Sequence, residues 1–414
     1  MRYGISILLL VLLFSCGKES KMPKDGPWRA ALLLESGKEI PFLMQMNADN
    51  SLVIFNDEEE ILVEDVTISG DSITIQMPVY EGYFKGVYTK DSITGEFVKP
   101  SLKRVVPFVM HQGNDLRFII SEAPSVEVTG NWEAVFSDHK PSDRYIAKGI
   151  FKQVGNKLTG TFRTTTGDYR YLEGAVFGDS LKLSTFDGAH AFLFEAQVAD
   201  SVMKGTFYSG NHWKEPFTAK RNDTFELPEA DSLTFLKEGY DRLEFSFPDT
   251  EGNEVSLEDA RFKNKVVVVQ VMGSWCPNCL DETKYFTKYY NDNKNKDLEI
   301  VSLAFEYAPT KEKALAAIDR LQEAIGIPYP ILLAQYGSSD KGKANRKLPM
   351  LNHVLSYPTT IILDKTGKVR KIHTGFNGPA TGEKYDEFVA EFEGFINMLL
   401  EEEINSEEKE EAKE

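Results

Sequence analysis

An apolar segment that runs directly into a pair of cysteines sets the architecture of the second half of this chain. It reads VVVVQVMGSWCPNCL and occupies positions 266–280. The continuous apolar run 266–272 is typical of a strand that is buried on both faces of a sheet. Pro277 favours the start of a helix, because proline has no N–H group to leave unpaired in the first turn. The pattern therefore predicts a buried strand, a tight turn, and a helix that starts near the cysteines.

The placement of the two cysteines predicts thiol–disulfide chemistry. Cys276 lies where the unpaired N–H groups of a helix start and the helix dipole favour an anion. A thiolate is stabilised there and the thiol pKa falls, so Cys276 is the expected nucleophile. Cys279, one turn along the helix, is near enough to attack the resulting mixed disulfide. Trp275 is expected to shield the pair from one side.

A zinc site, a structural disulfide and a peroxiredoxin centre fit the two cysteines less well. A zinc ribbon needs a second pair of ligands, and the one remaining cysteine, Cys16, lies 260 residues before Cys276. A purely structural disulfide would close too small a loop to constrain much of the unfolded chain. A peroxiredoxin needs Pro-x-x-x-Thr/Ser-x-x-Cys, whereas Val269 and Gly273 occupy those places. The sequence therefore favours a redox dithiol and no metal site.

The residues around this segment alternate between strand and helix patterns, which predicts an α/β layered domain. The expected strands are 243–247, 266–272, 299–305, 359–363 and 368–374, and the expected helices are 280–291, 311–325 and 383–400. Segment 335–349 is polar, basic and turn-rich, and we expect a loop or short helix near the substrate groove.

Residues 243–400 resemble thioredoxin, and in particular the membrane-anchored, extracytoplasmic TlpA/ResA-like thioredoxins. The resemblance rests on the strand, WCPNC and helix at 275–279, together with Tyr357-Pro358-Thr-Thr leading into a later strand. It implies a thioredoxin-like fold and a redox-active Cys276–Cys279 disulfide without any other cofactor. It also implies that the peptide bond before Pro358 is cis and that Pro358 faces the cysteines. The backbone just before Pro358 would then pair with a bound polypeptide. Trp275, Pro277, Tyr357 and Pro358 are the expected substrate-binding residues.

The same resemblance marks Glu282, three residues after the second cysteine, as an acid–base group. One helical turn would place its carboxyl beside Cys279, where it relays the proton of the resolving thiol. The alternative is a solvated acid that the helix dipole favours near a helix start. The buried acid of thioredoxin itself matches Gln270 here, and an amide does not titrate. Proton transfer then falls to Glu282 or to water.

Residues 26 to about 222 show short strand-like runs separated by turn signals, and this region repeats itself. Trp28 corresponds to Trp132, and the pairs Asp71/Asp179, Gly95/Gly205 and Pro107/Pro216 recur in the same order at nearly the same offset. We therefore expect a multidomain chain with two homologous all-β modules, 26–122 and 123–223. Each is predicted to be a small antiparallel barrel or sandwich with its tryptophan inside.

The β modules carry no pattern of catalytic residues. Their aromatic residues either line a binding groove or are ordinary strand-forming and core residues. The second role is favoured, because the spacing of these aromatics resembles no ligand site. The residues are Tyr80, Tyr83, Tyr169, Tyr171, Tyr208 and Trp213. Their histidines lack the short spacings of a zinc site. The modules are predicted to be spacers or interaction surfaces.

The N-terminus resembles a bacterial lipoprotein signal. Arg2 precedes an apolar run of ten residues, 5–14, which is too short to span about 30 Å of hydrocarbon. Leu13, Ser15 and Cys16 match that signal, although Phe14 is bulkier than usual. The expectation is a signal peptide 1–16, diacylation of Cys16 as a membrane anchor, and a flexible tether 17–25. A plain signal peptide with an incidental cysteine is the alternative.

Composition and charge limit the partners and define the remaining segments. The 414 residues are 42% hydrophobic and 27% charged, which is ordinary for a soluble multidomain protein. The formal net charge of −17 repels phosphate backbones and argues against nucleic acid. Segment 224–242 turns acidic and contains Pro228, so it is predicted to be a linker. Segment 401–414 holds eight acids and two lysines and is predicted to be a disordered tail.

These features predict a lipid-anchored thiol–disulfide oxidoreductase in a bacterial cell envelope, facing the periplasm or associated with the outer membrane. Its partners would be disulfide-containing or dithiol-containing envelope proteins, such as apocytochromes, and an upstream electron donor. The alternative is an envelope binding or scaffold lipoprotein whose β modules capture a ligand or partner while redox activity is secondary.

Overall fold

A computed structural model describes residues 22–113 and 115–403. The predicted signal peptide, Cys16 and most of the acidic tail lie outside the described residues. Within the part that is described, no helix combines the length and apolar character needed to cross a membrane.

The first β module is a nine-stranded antiparallel sheet. Its strands are β1 (Gly26–Leu33), β2 (Glu39–Met46), β3 (Leu52–Asn56), β4 (Glu59–Val63), β5 (Val66–Ser69), β6 (Ser72–Gln76), β7 (Tyr83–Tyr88), β8 (Ser92–Lys99) and β9 (Arg104–Gln112). They are ordered β4-β3-β2-β1-β9-β8-β7-β6-β5. Trp28 of β1 is fully buried, and its indole N–H donates to the carbonyl oxygen of Lys24 at 2.8 Å.

The second β module is a closed barrel with the same plan. Its strands are β10 (Gly130–Phe136), β11 (Tyr145–Val154), β12 (Lys157–Thr164), β13 (Gly167–Asp168), β14 (Leu172–Phe177), β15 (Ser180–Phe186), β16 (Ala191–Ala199), β17 (Val202–Ser209) and β18 (Trp213–Arg221). They are ordered β11-β10-β18-β17-β16-β15-β14-β12-β13, and a further β11–β12 pairing closes the ring. Trp132 is also fully buried, and its indole donates to the carbonyl oxygen of Val128 at 2.9 Å.

Corresponding strands in the two modules have corresponding neighbours. In the first module β1 pairs with β2 and β9, and in the second β10 pairs with β11 and β18. Each tryptophan binds the carbonyl four residues before it. The prediction of two repeated antiparallel modules, each a barrel or sandwich, is therefore confirmed. The predicted boundary at residue 123 falls between β9 and β10 and stays a prediction.

The two modules pack directly against one another. The ring of Phe186 at the end of β15 stacks on Phe42 of β2, with centroids 4.5 Å apart. The Asn56 side chain donates to the Phe186 carbonyl oxygen at 2.9 Å and accepts from the Phe186 N–H at 3.1 Å. Burying aromatic rings together with satisfied polar groups favours one fixed arrangement of the modules.

The third domain has a five-stranded central sheet with helices packed against it. Its elements are β19 (Ser246–Pro248), β20 (Glu254–Ser256), β21 (Val266–Met272), α1 (Pro277–Asp292), β22 (Leu298–Phe305), α2 (Lys311–Ile325), β23 (Ile331–Gln335), α3 (Lys341–Lys347), β24 (Thr359–Leu363), β25 (Val369–Thr374) and α4 (Glu383–Glu401). The sheet is ordered β23-β22-β21-β24-β25. Every residue of the central strand β21 is buried, as its apolar run predicts.

The sequence-based elements agree with these bounds to within one residue except in four places. The strand expected at 243–247 is observed as β19, which begins at Ser246. Helix α1 begins at Pro277, a turn earlier than the predicted residue 280. Strand β20, only three residues long, is missing from the prediction. Strand β23 is also missing, because a short apolar run does not distinguish a buried strand from a buried helix. The short helix expected in 335–349 is α3.

The predicted linker 224–242 lies on the surface of the third domain. Leu236 forms a β-bridge with Leu351, and the Thr374 hydroxyl donates to the Thr234 hydroxyl at 2.9 Å in a buried position. Asp231 pairs with Lys371 at 2.8 Å. These contacts hold the segment along β25.

Candidate active site

The two cysteines lie where the central strand passes into the first helix. Cys276 is the residue that caps α1, and its Sγ accepts a hydrogen bond from the backbone N–H of Cys279 at 3.2 Å. A disulfide joins the two residues, with their Cα atoms 5.2 Å apart. A sulfur atom in this position faces the unpaired N–H groups and the positive end of the helix dipole. Both stabilise a thiolate when the disulfide is reduced.

Trp275 and the Tyr357–Pro358 segment flank the disulfide. The Trp275 indole donates to the carbonyl oxygen of Phe305 at 3.0 Å, and its ring meets Tyr357 edge-on at 5.7 Å. The Tyr357–Pro358 peptide bond is cis. The Tyr357 carbonyl oxygen lies 3.4 Å from Cys276 Sγ and is the acceptor available to the reduced thiol. The structure thus brings together Trp275, Cys276, Tyr357 and Pro358, while their contacts with a substrate stay a prediction.

Glu282, on α1 three residues after Cys279, is fully buried, so the alternative of a solvated acid at the helix start is wrong. One carboxylate oxygen accepts from the Thr360 hydroxyl at 2.7 Å and the other from the Gln270 amide at 2.9 Å. Burial raises the pKa of Glu282 to about 7, although both hydrogen bonds act in the opposite direction. The carboxyl can therefore take up or release a proton near neutral pH.

Gln270 connects this carboxyl to the helix that carries the cysteines. Its amide nitrogen lies 3.4 Å from the carbonyl oxygen of Cys279 as well as 2.9 Å from Glu282. Its amide oxygen accepts from the hydroxyls of Thr283 and Ser302 at 3.1 and 2.8 Å. The amide is fully satisfied and neutral, so it positions Glu282 but leaves Glu282 as the titrating group.

A second buried carboxyl, Glu306, supports the turn before the cysteines and is absent from the sequence-based prediction. It accepts from the Ser274 N–H at 2.7 Å and from the Ser274 hydroxyl at 2.9 Å. Burial raises its pKa to about 7. An acid directly after the apolar strand β22 was the available signal, because the carboxyl ends of parallel strands lie at the same edge of a sheet.

Both β modules reach this end of the third domain. Arg170 of the second module is buried and donates to Asp281 of α1 at 2.9 Å. It also pairs with Glu59 of the first module and lies 3.6 Å from Asp187. Burial raises the pKa of Asp281, and the Arg170 charge opposes that rise. One guanidinium therefore joins carboxylates from all three domains, two residues beyond Cys279.

No group of three or more His, Cys, Asp or Glu side chains in residues 22–113 and 115–403 is arranged to hold a metal ion. His353 and His373, which flank Pro358 in sequence, contact the 224–242 segment through Leu233 and Asp231.

Comparison with known proteins places this geometry in a family. The family model described as Redoxin matches residues 237–388. The thioredoxin-like protein YneN of Bacillus subtilis is 31% identical over 140 residues, which are 34% of this chain and 73% of that protein. The chain belongs to the thioredoxin-like family. The resemblance inferred from WCPNC is confirmed, and the third domain is a thioredoxin-like thiol–disulfide oxidoreductase.

Two further proteins are similar to parts of this chain. The thiol-disulfide oxidoreductase ResA of Bacillus subtilis is 27% identical over 140 residues, which are 34% of this chain and 69% of that protein. The crystal structure of a thioredoxin family thiol:disulfide interchange protein from Chlorobium tepidum is 19% identical with a TM-score of 0.30. It covers 40% of this chain and 98% of that one.

Proposed function

We propose that this protein is a lipid-anchored thiol–disulfide oxidoreductase of the bacterial cell envelope that reduces disulfides in partner proteins. The observation that carries the proposal is the Cys276–Cys279 disulfide at the start of α1, with the buried Glu282 one turn further along the same helix. The similar protein ResA is named a thiol-disulfide oxidoreductase, which supports the reaction class. The resemblance to the ResA-like group supports net reduction of the partner. The reduction potential of the Cys276–Cys279 pair, relative to that of the partner, sets this direction.

The first step uses the reduced protein. The Cys276 thiolate, facing the Cys279 N–H, attacks one sulfur of a partner disulfide. A bond forms between that sulfur and Cys276 Sγ as the partner's S–S bond breaks. The partner's other sulfur leaves as a thiolate and takes a proton from water.

The second step releases the partner. Glu282, ionised above its pKa of about 7, takes the proton of the Cys279 thiol. The Cys279 thiolate attacks Cys276 Sγ and forms the disulfide, and the partner's first sulfur leaves as a thiolate. Two electrons pass to the partner, and an upstream dithiol donor must return them.

The anchor and the envelope location rest on the N-terminal sequence. Cys16 in its lipoprotein-like setting is the proposed site of diacylation, and two or three acyl chains would hold the protein firmly on a membrane. Labelling cells with a palmitate analogue tests this directly. We expect label in the wild type and none in Cys16→Ala, which should move to the soluble fraction. Label that persists in Cys16→Ala would exclude this anchor.

Two cysteine variants test the redox function. Cys276→Ser should abolish insulin reduction, and a rate equal to the wild type would exclude the mechanism. Cys279→Ser should accumulate mixed disulfides through Cys276, because the resolving thiol is missing. Purification of those mixed disulfides from cells grown under respiratory and oxidative conditions would identify the partners. No captured protein under either condition would favour a scaffold role for the β modules.

A further inference from the structure

A turn of the second β module lies against the residues that surround the disulfide. Strands β12 and β13 form a tight hairpin, and its end is here named the 164–168 turn. The Ser356 hydroxyl donates to the Thr166 carbonyl oxygen at 2.8 Å. A Cβ atom added at Gly167 would lie 2.6 Å from the Asn278 side chain, and one added at Gly375 would lie 2.7 Å from the Thr166 backbone. The turn is therefore in direct contact with the thioredoxin-like domain.

The residues under the turn frame the nucleophile. Asn278 lies between the two cysteines, and Ser356 precedes Tyr357, whose carbonyl oxygen lies 3.4 Å from Cys276 Sγ. The Gly375 N–H donates to the Pro358 carbonyl oxygen at 3.0 Å, so its loop packs beside the same segment. Cys276 itself is only 6% exposed.

The turn is anchored on both sides. The Asp168 carboxylate accepts from the Gly378 N–H and from the Arg170 N–H, both at 2.6 Å. Arg170 then reaches Asp281 of α1 at 2.9 Å. Arg170 has a φ of 56°, which is uncommon for a residue other than glycine and persists where surrounding contacts enforce it. Contacts with Gly378 and Asp281 of the thioredoxin-like domain thus hold the turn in place.

Disulfide exchange sets a steric condition on this arrangement. The attacking and attacked sulfurs must come into contact, and a cysteine in a polypeptide brings chain on both sides of its sulfur. The surface beside Cys276 that such a chain would need, at Asn278, Ser356 and Gly375, is occupied by the turn. A small disulfide needs no such surface.

We propose that the 164–168 turn determines which disulfides reach Cys276: small disulfides react with the closed protein, and protein disulfides react only when the turn is displaced. This inference rests on the proposed thiol–disulfide exchange. The observed rate with a protein disulfide is then the intrinsic rate multiplied by the fraction of molecules in which the turn is open.

Gly167→Ala is the test variant, because the φ of 142° at this position strains any residue with a Cβ, and the added Cβ would lie 2.6 Å from the Asn278 side chain and 3.3 Å from the Phe376 carbonyl oxygen; both effects destabilise the closed position of the turn. Gly155→Ala is the matched control, since Gly155 also has a positive φ in the same module and a Cβ there meets nothing within 4 Å. The pre-reduced full-length proteins are mixed in single turnover with insulin and, separately, with dithiobis(nitrobenzoate). We expect Gly167→Ala to raise the insulin rate by about tenfold and to leave the small-disulfide rate within about twofold. Gly155→Ala should change neither rate.

A measurement that needs no turnover separates this inference from the proposed function. Reduced protein is alkylated with iodoacetamide or with a maleimide on a long polyethylene glycol chain. The polymer should react slowly with wild type and faster with Gly167→Ala, while iodoacetamide reacts alike with both. Ser356→Ala, which removes only the hydroxyl bond to Thr166, should shift the polymer rate in the same direction by a smaller factor. Equal insulin-to-small-disulfide ratios and equal polymer rates in wild type and Gly167→Ala would overturn the role of the turn. Absence of all disulfide reduction in wild type would overturn the proposed function instead.

Discussion

Replacing Glu282 with glutamine should change the pH dependence of stability in a defined direction. Burial raises the pKa of this carboxyl from 4.5 to about 7. A folded-state pKa about 2.5 above the unfolded value corresponds to ~3 kcal/mol. Because the folded pKa is the higher one, this stabilisation is fully present below about pH 4.5 and is lost as the pH rises through about 7.

Glutamine does not titrate, so Glu282→Gln removes this dependence. The unfolding free energy of wild type minus that of the variant should fall by ~3 kcal/mol between pH 4.5 and pH 8. The oxidised protein is used, so that the cysteines do not titrate. Hydrogen exchange of peptides from β21 and α1 reports the opening of this domain separately from the barrels. Equal pH profiles in wild type and Glu282→Gln would refute the raised pKa.

The same variant tests the proton transfer. Loss of a general base that acts on Cys279 should slow release of the mixed disulfide by about 100-fold at pH 7. Glu299→Gln is the matched control, since Glu299 is also buried but lies at the far end of the sheet, bonded to Lys265 and Tyr290. It should leave the rate within about twofold. Equal release rates in Glu282→Gln and wild type would exclude Glu282 as the base.

Three further predictions concern the architecture that surrounds the site. Arg170→Met removes the buried cation among three carboxylates and should lower the unfolding free energy, measured by urea titration, by ~3–5 kcal/mol. A decrease in unfolding free energy below ~1 kcal/mol would mean that the cluster contributes little. Trp28→Phe and Trp132→Phe each delete the corresponding indole hydrogen bond of a fully buried side chain and should each cost ~1–3 kcal/mol. A loss in only one β module by hydrogen exchange would contradict their equivalence. Gly174→Ala places a Cβ against the backbone of Lys182 in the adjacent strand and should cost ~1–3 kcal/mol by the same assay; an unchanged barrel would refute this close approach.

The sequence by itself determined the features that are written in neighbouring residues. Seven residues, GSWCPNC at 273–279, carry the turn, the helix start and both sulfurs. The valines of 266–272 indicate a strand buried on both faces, and β21 is buried throughout. The repeated tryptophans and glycines reveal the duplication, because a repeat is visible without any knowledge of contacts. Glu282 is marked by the resemblance to the TlpA/ResA-like group, through its position three residues after Cys279.

Only the tertiary structure decided how these parts meet. The contacts Ser356–Thr166 and Arg170–Asp281 join residues more than 100 positions apart, and no periodicity or spacing in the chain encodes them. The burial that moves the pKa of Glu306 likewise comes from packing around it. The sequence therefore predicted a thioredoxin-like dithiol with two β modules as spacers or interaction surfaces. The structure places a turn of the second module against Asn278, Ser356 and Gly375, beside the dithiol. Long-range hydrogen bonds and ion pairs, which local patterns do not record, fix the position of this 164–168 turn.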